Sequence, residues 1–189
     1  MEIHPNKCKV IIEGLSPGIL LDNPQSLLEK TGIKKIKSNP EEEAASRLYW
    51  TSDKKSIAFP AFNFYKGLVQ AGAGWKCPLD RKRSLPSTIA GDMSIEPVMI
   101  PFNTKKYQID IRRATIQGQG IALARPLLFP WQLKFTIKWN SQYLGTDDFT
   151  QTVLPDLLEQ LGHAIGIGNF RPKKSKGPFG RFDMKEIKT

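Results

Sequence analysis

Residues 161–182 read Leu161-Gly-His-Ala-Ile-Gly-Ile-Gly-Asn-Phe-Arg-Pro-Lys-Lys-Ser-Lys-Gly-Pro-Phe-Gly-Arg-Phe182. This segment predicts the end of an amphipathic helix, a glycine-rich loop and the start of a last strand. Glycine lets another molecule's backbone come close, and basic side chains beside free backbone N–H groups suit phosphate. The loop residues with these properties are Gly166, Gly168, Gly177, Gly180, Arg171, Lys173, Lys174, Lys176 and Arg181.

Three phenylalanines, Phe170, Phe179 and Phe182, are interleaved with these basic residues. Aromatic rings stack on the bases of single strands. We therefore interpret the loop as an element that follows a phosphate backbone and is packed on a small sheet. A flexible surface connection is the alternative interpretation.

The chain has 189 residues, of which 40% are hydrophobic and 24% charged, and this composition is typical of a globular protein. The length is sufficient for one well-buried domain. The formal net charge of +10 favours a polyanionic partner, because each phosphate that a protein neutralises releases a condensed counterion. The alternative is that the charge only keeps the protein soluble.

The cysteines Cys8 and Cys77 lie far apart in the sequence, and with His4 and His163 they form no standard zinc-site spacing. We expect no structural metal, no cofactor and no disulfide framework, which suits a reducing cytoplasm. The N-terminal residues contain no apolar signal core, and no apolar run is long enough to span a membrane. The expectation is a cytoplasmic protein without a membrane partner.

The N-terminal part predicts short strands and short helices. Cys8–Gly14 is a β-branched run that predicts a first strand, and Ile19–Leu21 predicts extended chain. A turn and a short helix over Ser26–Lys30 follow. The acidic run Glu41–Glu43 would lie at the positive end of the next helix. We assign residues 22–56 to an insertion with short helices.

A longer helix is predicted from Asn63, a good N-cap residue. Phe64, Leu68 and Ala71 have the spacing of one buried helical face. A glycine inside a helix costs about 1 kcal/mol against alanine. Gly67 therefore predicts that another element, a strand, packs closely against the helix at this point.

Residues 72–97 predict an irregular segment, and residues 72–95 within it predict a basic mobile loop in which Lys76, Arg81, Lys82 and Arg83 cluster around Pro78 and Pro86. Its basic residues, together with one lysine of the preceding helix, would extend the basic track of the glycine-rich loop. These residues are Lys66, Arg81, Lys82 and Arg83.

Two later runs alternate between apolar and polar residues and predict strands. Tyr107–Arg112 is one, and Leu133–Trp139 is the clearest period-two pattern in the chain. Pairing these two runs would bury one face and expose the other. Residues 117–126 predict another short strand after a turn.

The last helix is predicted from apolar residues that recur with a helical period, namely Leu154, Leu157, Leu158, Leu161 and Ile165. Proline is accepted only in the first turn of a helix, so Pro155 places the start near Thr152. The glycines Gly166 and Gly168 end the helix. A final strand over Phe179–Ile187 closes the chain.

This order of elements predicts an α+β fold with a ferredoxin-like or RRM-like βαββαβ core in a single domain over residues 1–189. Insertions follow the first strand and the first helix, and the glycine-rich loop precedes the last strand. The open face of the sheet would carry Arg112, Arg113, Lys134 and Lys138, where an RRM-like sheet meets RNA. A solvated face, or one covered by a neighbouring subunit, is the alternative.

The segment Ile57-Ala-Phe-Pro-Ala-Phe-Asn-Phe-Tyr-Lys-Gly-Leu-Val-Gln-Ala71 combines apolar residues, a proline followed by a small residue, and a helix with a basic residue and a glycine. Together with the glycine-rich loop before the last strand, it resembles the RAMP superfamily, the RRM-like RNA-binding proteins of CRISPR effector complexes. The resemblance is closest to the backbone-type subunit. It implies a role in antiviral defence, in which copies of the protein or related subunits assemble along a single-stranded guide RNA and the loop binds its phosphates. A phage or mobile-element relative with the same fold is the other possibility.

The resemblance also implies two ways of cutting RNA. One branch of the superfamily works without metal and uses histidine as a general base, for which His163 and the N-terminal His4 are the candidates. A histidine at a helix end is also a common dipole partner. Some backbone subunits cut with a metal and an acidic residue of an early loop, a region where Asp22 lies, although Asp-Asn-Pro is also an ordinary turn.

Three hypotheses follow from the sequence. The first is a non-enzymatic RNA-binding subunit that recognises phosphates and shape. The second is a metal-independent endoribonuclease of the same fold. The third is a phage structural or protein-interaction module whose basic loop binds another protein.

Overall fold

The computed structural model describes residues 6–24, 39–116 and 119–189, and these residues form an α+β structure with antiparallel sheets. The strands are β1 (Asn6–Gly14), β2 (Ile19–Leu20), β3 (Ala58–Pro60), β4 (Met93–Glu96), β5 (Met99–Pro101), β6 (Gln108–Ile116), β7 (Gln119–Leu128), β8 (Gln132–Trp139) and β9 (Phe182–Lys188). The helices are α1 (Pro40–Ser46), α2 (Ala61–Ala71), α3 (Leu85–Asp92), α4 (Ser141–Leu144), α5 and α6 (Pro172–Ser175). Helix α5 consists of the consecutive segments Phe149–Val153, Leu154–Gln160 and Leu161–Ile165, of which the first and last are π-helical.

The largest sheet has four strands in the order β4-β8-β1-β9, and all neighbouring strands are antiparallel. In β8, buried apolar residues alternate with more exposed ones, as the sequence predicted. Helices α2 and α5 pack against the buried face. The ring centroid of Phe64 in α2 lies 4.7 Å from that of Phe135 and 5.9 Å from that of Phe182.

Helix α2 packs against α5 at Gly67, so the prediction of a strand at this position was wrong. A Cβ added to Gly67 would lie 2.6 Å from Cδ1 of Leu161. The predicted apolar face of α5, which includes Leu161, is buried. The missing side chain of the glycine thus lets two helices approach each other above the sheet.

The starts of the helices follow from their first residues. Glu41–Glu43 lie in the first turn of α1, as predicted, and the backbone N–H of Glu41 donates to Oδ1 of Asn39 across 3.1 Å. Helix α2 begins at Ala61, two residues before the predicted N-cap Asn63, and the extended Pro60 takes the N-cap position without a side-chain hydrogen bond. Helix α5 likewise begins before the predicted Thr152, in the π-helical turn that precedes Pro155.

The predicted pairing of the two alternating runs was also wrong. Strand β6 pairs with β7 in a separate sheet of order β2-β7-β6, whereas β8 pairs with β1 and β4. Both edges of β8 are therefore occupied, and β6 pairs with the strand that follows it in the chain. As a result, the apolar residues Ile109 and Ile111 are exposed rather than buried.

Residues 72–97 are not irregular, contrary to the prediction, because they contain α3 and β4. Pro86 occupies the first turn of α3, where its missing N–H breaks no helical hydrogen bond. Leu85 and Ile89 are buried, and β4 forms an edge of the main sheet through Met93 and Ile95. The basic residues of this segment occupy the connection before α3.

Two predictions lie outside the described residues, those for His4 and for the helix over Ser26–Lys30, and so do the first two residues of the strand predicted over residues 117–126. Within the described ranges, no helix has the length and apolar character needed to cross a membrane.

Candidate nucleic-acid interface

A cleft of about 320 Å³ lies between helix α2, the chain after β2 and the glycine-rich loop after α5. Its floor is apolar and includes Leu21, Phe59 and Ile167. Polar side chains from all three segments, and one from the chain between α1 and β3, line it, namely Asp22, Tyr49, Asn63, Lys66, Gln70, Asn169, Arg171 and Lys174. The cleft therefore joins the two motifs on which the sequence resemblance depends.

Helix α2 contributes one face to the cleft. Asn63, Lys66, Gly67 and Gln70 are spaced by three or four residues and so lie on neighbouring turns of the same side. The ammonium of Lys66 lies 4.4 Å from the ring centroid of Phe62, one turn earlier. The polar residues Asn63, Lys66 and Gln70 were not part of the predicted buried face of this helix. Their helical spacing was the sequence signal for a second, solvent-facing side that could line a site.

The glycines of the loop allow the chain to contact itself. Gly168 has a φ of +78°, and an added Cβ would lie 2.6 Å from the carbonyl oxygen of Leu20. An added Cβ on Gly177 or Gly180 would collide with the carbonyl oxygen of Phe170 or Ile167, respectively. The loop is thus shaped by its own close contacts, and its glycines serve this packing whether or not a ligand is bound.

The basic residues of the loop divide into two groups. Arg171 and Lys174 line the cleft, and Nη1 of Arg171 donates to the carbonyl oxygen of Gly168 across 3.1 Å. Lys173, Lys176 and Arg181 are exposed outside the cleft. Arg171 is the N-cap of the short helix α6 and Lys174 lies within that helix, so one helical turn positions both.

Two of the predicted stacking rings are inaccessible. Phe179 and Phe182 are buried in the protein, because the loop folds them onto the core. Phe170 is half-buried in a second groove between the loop and β6. There the guanidinium of Arg112 lies 4.5 Å from the centroid of Phe179, and its Nε lies 2.6 Å from Oδ1 of Asp110.

Asp22 is held by three side chains at the edge of the cleft. Its Oδ1 lies 2.8 Å from Nη1 of Arg47 and 3.3 Å from Nε of Arg125, and its Oδ2 accepts from Nδ2 of Asn169 across 2.7 Å. Glu43 completes the cluster, with Oε1 3.2 Å from Nη1 of Arg125. The cluster connects β2, α1, β7 and the glycine-rich loop, and nothing in the sequence pattern links these four segments.

Burial within this cluster has electrostatic consequences. Both guanidiniums, of Arg47 and Arg125, are buried, and the pair balances the carboxylates of Asp22 and Glu43. Burial raises the pKa of the Tyr49 phenol above its ordinary value, while a hydrogen bond with Asn63 opposes this rise and the Asp22 charge adds to it. The negative charge of Asp22 is thus neutralised by its own protein, and the other charged side chains in the cleft are cations.

The remaining candidates lie elsewhere. His163 is exposed, and its Nε2 lies 3.2 Å from Oδ1 of Asp183, outside the residues that line the cleft. Arg83 stacks on Tyr143, with 3.8 Å between its guanidinium carbon and the ring centroid. Arg81, Lys82 and Arg83 do not line the cleft either.

The open face of the main sheet carries charges that pair with each other. Nζ of Lys138 lies 2.7 Å from Oε2 of Glu96, and Nζ of Lys185 lies 3.1 Å from Oε2 of Glu13. Lys134 is exposed on the same face. On this face, the solvent-facing positions of β1, β4 and β8 contain no aromatic residue. These positions are Lys7, Lys9, Ile11, Glu13, Ser94, Glu96, Gln132, Lys134, Thr136 and Lys138.

The cleft therefore brings together six of the residues singled out in the sequence, which are Asp22, Lys66, Gly166, Gly168, Arg171 and Lys174. In the described part of the chain, no group of three or more His, Cys, Asp and Glu side chains is arranged to hold a metal ion. No known protein family matches the chain, and no curated protein is significantly similar to it in sequence.

Proposed function

We propose that this protein is a non-enzymatic RNA-binding subunit that holds the phosphates of a single strand in the cleft between α2 and the glycine-rich loop. The observation that carries this proposal is the convergence of Lys66, Arg171 and Lys174 from two distant segments on one cleft. Phosphate oxygens accept charge-assisted hydrogen bonds from such side chains.

The charge balance of the cleft supports an anionic ligand. Asp22, the acidic residue of its lining, faces the guanidiniums of Arg47 and Arg125, which offset its charge. Three cations then remain to attract phosphate. The net charge of +10 acts in the same direction at long range.

The strand order supports a ferredoxin-like core for this function. In chain order, β1, α2, β4, β8, α5 and β9 follow the sequence strand, helix, strand, strand, helix, strand. Strand β1 lies between β8 and β9, and α2 and α5 cover one face. In this proposal the remaining elements are insertions, and the glycine-rich loop precedes the last core strand.

The likeness to backbone-type RAMP subunits suggests assembly of several copies, or of related subunits, along a guide RNA in a CRISPR-like ribonucleoprotein. The hairpin of β6 and β7 supports an assembled state, because Ile109 and Ile111 are exposed on it at 39% and 57%. In this proposal these side chains are covered by a neighbouring subunit. Light scattering of the protein with RNAs of increasing length would then show stepwise growth in mass.

Binding is tested by comparing the double variant Lys66→Ala, Lys174→Ala with the control Lys55→Ala, Lys105→Ala. All four lysines carry the same charge, but the control pair does not line the cleft. Filter binding to single-stranded RNA, single-stranded DNA and duplex RNA is measured over a range of salt concentrations. We expect the cleft variant to bind single-stranded RNA about tenfold more weakly, with a salt slope reduced by about 0.7 for each lost phosphate contact.

The control variant should keep the salt slope of the wild type and bind single-stranded RNA within about twofold of it, since it removes no phosphate contact and changes only the long-range field. Equal effects of the two double variants would show that the charge acts without a site and would contradict the proposal. A wild-type protein that binds none of the three nucleic acids would favour the protein-interaction hypothesis instead.

A further inference from the structure

Phe62 is an aromatic side chain that is not packed in the hydrophobic core. It lies in the first turn of α2 and is 59% exposed, whereas Phe64, two residues later, is fully buried. Burying a phenylalanine side chain contributes about 2 kcal/mol to folding. Because Phe62 is largely exposed, it provides little of this stabilisation. A contribution to folding therefore does not explain why an aromatic residue occupies this position.

Phe62 does not line the candidate cleft but is adjacent to a residue that does. Residues four apart on a helix are neighbours on its surface, and the ammonium of Lys66 lies 4.4 Å from the Phe62 ring centroid. Lys66 itself lines the cleft. The ring is therefore adjacent to a cation that is placed for phosphate, and a large part of the ring is open to solvent.

The other described aromatics near the loop are less available. Tyr49 lines the cleft but is half-buried, and its hydroxyl donates to the carbonyl oxygen of Asp22 across 3.0 Å, while Phe170 is half-buried in the second groove. Phe179 and Phe182 are buried, and the solvent-facing positions of β1, β4 and β8 contain no aromatic residue. Phe129 is 46% exposed but lies at the base of the β6–β7 hairpin, in a different groove. Phe62 is therefore an exposed ring directly beside a cation of the cleft.

We infer that Phe62 stacks on an unpaired base of the strand whose phosphates lie on Lys66, Arg171 and Lys174. This inference rests on the proposed function and specifies its ligand, because a base inside a duplex is stacked on its neighbours and cannot lie on the ring. Stacking on an aromatic ring is tolerant of sequence, since every base has a π-face. The ammonium of Lys66 then contacts both the Phe62 ring and the phosphate, and it lies between them.

The test compares Phe62→Ala with Phe62→Tyr and with the matched control Phe129→Ala. Each variant is titrated with the same single-stranded RNA, with the corresponding duplex, and with a single strand that carries abasic sugars throughout. We expect Phe62→Ala to bind the normal single strand about tenfold more weakly, with an unchanged salt slope because no phosphate contact is lost. Phe62→Tyr and Phe129→Ala should bind like the wild type, and the abasic strand should not distinguish Phe62→Ala from the wild type.

The outcomes separate this inference from the function on which it rests. If Phe62→Ala binds the normal strand as tightly as the wild type while Lys66→Ala, Lys174→Ala does not, the cleft binds phosphate and the stacking inference is wrong. The stacking inference is also wrong if Phe62→Ala changes only the oligomeric mass of the protein without RNA. The ring would then belong to a contact between protein subunits. If the wild type binds no single-stranded RNA, both the function and the inference are overturned.

Discussion

Nδ2 of Asn169 donates a hydrogen bond of 2.7 Å to Oδ2 of Asp22, which lies 147 positions earlier in the chain. The bond joins the glycine-rich loop to the segment after β2, and both segments line the cleft. Asp22 also pairs with two buried arginines, so it connects the loop to the interior of the protein. Asp22 is thus a structural support of the cleft.

Asp22→Asn should lower the free energy of unfolding by about 2 kcal/mol, because it leaves Arg47 and Arg125 buried with one carboxylate fewer. Removing one partner of a buried ion pair costs about 3–5 kcal/mol, and the partial exposure of Asp22 reduces this. Urea unfolding measures the change. Glu96→Gln is the control, since its pair with Lys138 is exposed and should contribute less than about 1 kcal/mol. Equal losses in the two variants would show that the cluster around Asp22 does not support the fold.

Gly162→Ala should destabilise the protein by about 3 kcal/mol. The glycine lies in α5, and an added Cβ would collide with the carbonyl oxygen of Phe182 in β9, so helix and strand would have to move apart. Gly91→Ala is the matched control, because Gly91 lies in α3 with no atom within 4 Å of an added Cβ. That variant should be stabilised by about 0.5 kcal/mol through the better helix propensity of alanine. Thermal unfolding of both variants checks the difference, and a stable Gly162→Ala would mean that α5 and β9 are not in close contact.

The stability of the protein should fall between pH 9 and pH 11 through Cys8. Burial raises the pKa of the Cys8 thiol to about 11, against a small opposing effect of a backbone hydrogen bond with Ile137. In this window the unfolded thiol has lost its proton and the folded thiol has kept it, so rising pH favours unfolding. The loss should be about 3 kcal/mol, since each pKa unit corresponds to about 1.4 kcal/mol.

The measurement is urea unfolding of the wild type and of Cys8→Ala at several pH values from 7 to about 11.5. The variant lacks the thiol, so ionisation of this group cannot affect its stability. The difference between the free energies of unfolding of the two proteins should therefore change within the window. If the two curves stay parallel, the thiol ionises equally in the folded and unfolded states.

His163→Ala should leave RNA affinity unchanged within about twofold, because His163 lies outside the cleft and its contact with Asp183 is exposed. Filter binding measures the affinity. Labelled RNA is also incubated with wild type and variant in EDTA. Cleavage by the wild type that disappears in the variant would establish the endoribonuclease hypothesis and exclude a purely binding role.

Local patterns in the sequence predicted much of the main sheet and its helices. The alternation in Leu133–Trp139 and the helical spacing of Leu154–Ile165 each bury one face, as expected. Such patterns depend on which side of a single helix or strand is buried, and residues a few positions apart in the sequence are enough to indicate that side. The glycines and cations of the loop after α5 were recognisable for the same reason.

Partner choice was less predictable. The alternating run at β6 has the pattern of a half-buried strand, but its exposed Ile109 and Ile111 show that no core element covers it within the described part of the chain. Helix α3 was hidden by Pro86, since a proline in the first turn looks the same in the sequence as a proline in a loop. For β6 the deciding factor was competition between possible neighbouring strands, and for α3 it was the burial of Leu85 and Ile89 against the rest of the protein.

The amino-acid sequence by itself determined the main local elements, the excess of positive charge, and the cations and glycines of one loop. Only the tertiary structure decided that Lys66 meets Arg171 and Lys174 in a cleft, that Asp22 is neutralised by arginines from α1's end and from β7, and that Phe179 and Phe182 are buried. The physical reason is range. Helix and strand patterns arise from residues a few positions apart, whereas these contacts depend on how whole elements pack, which no short stretch of sequence contains.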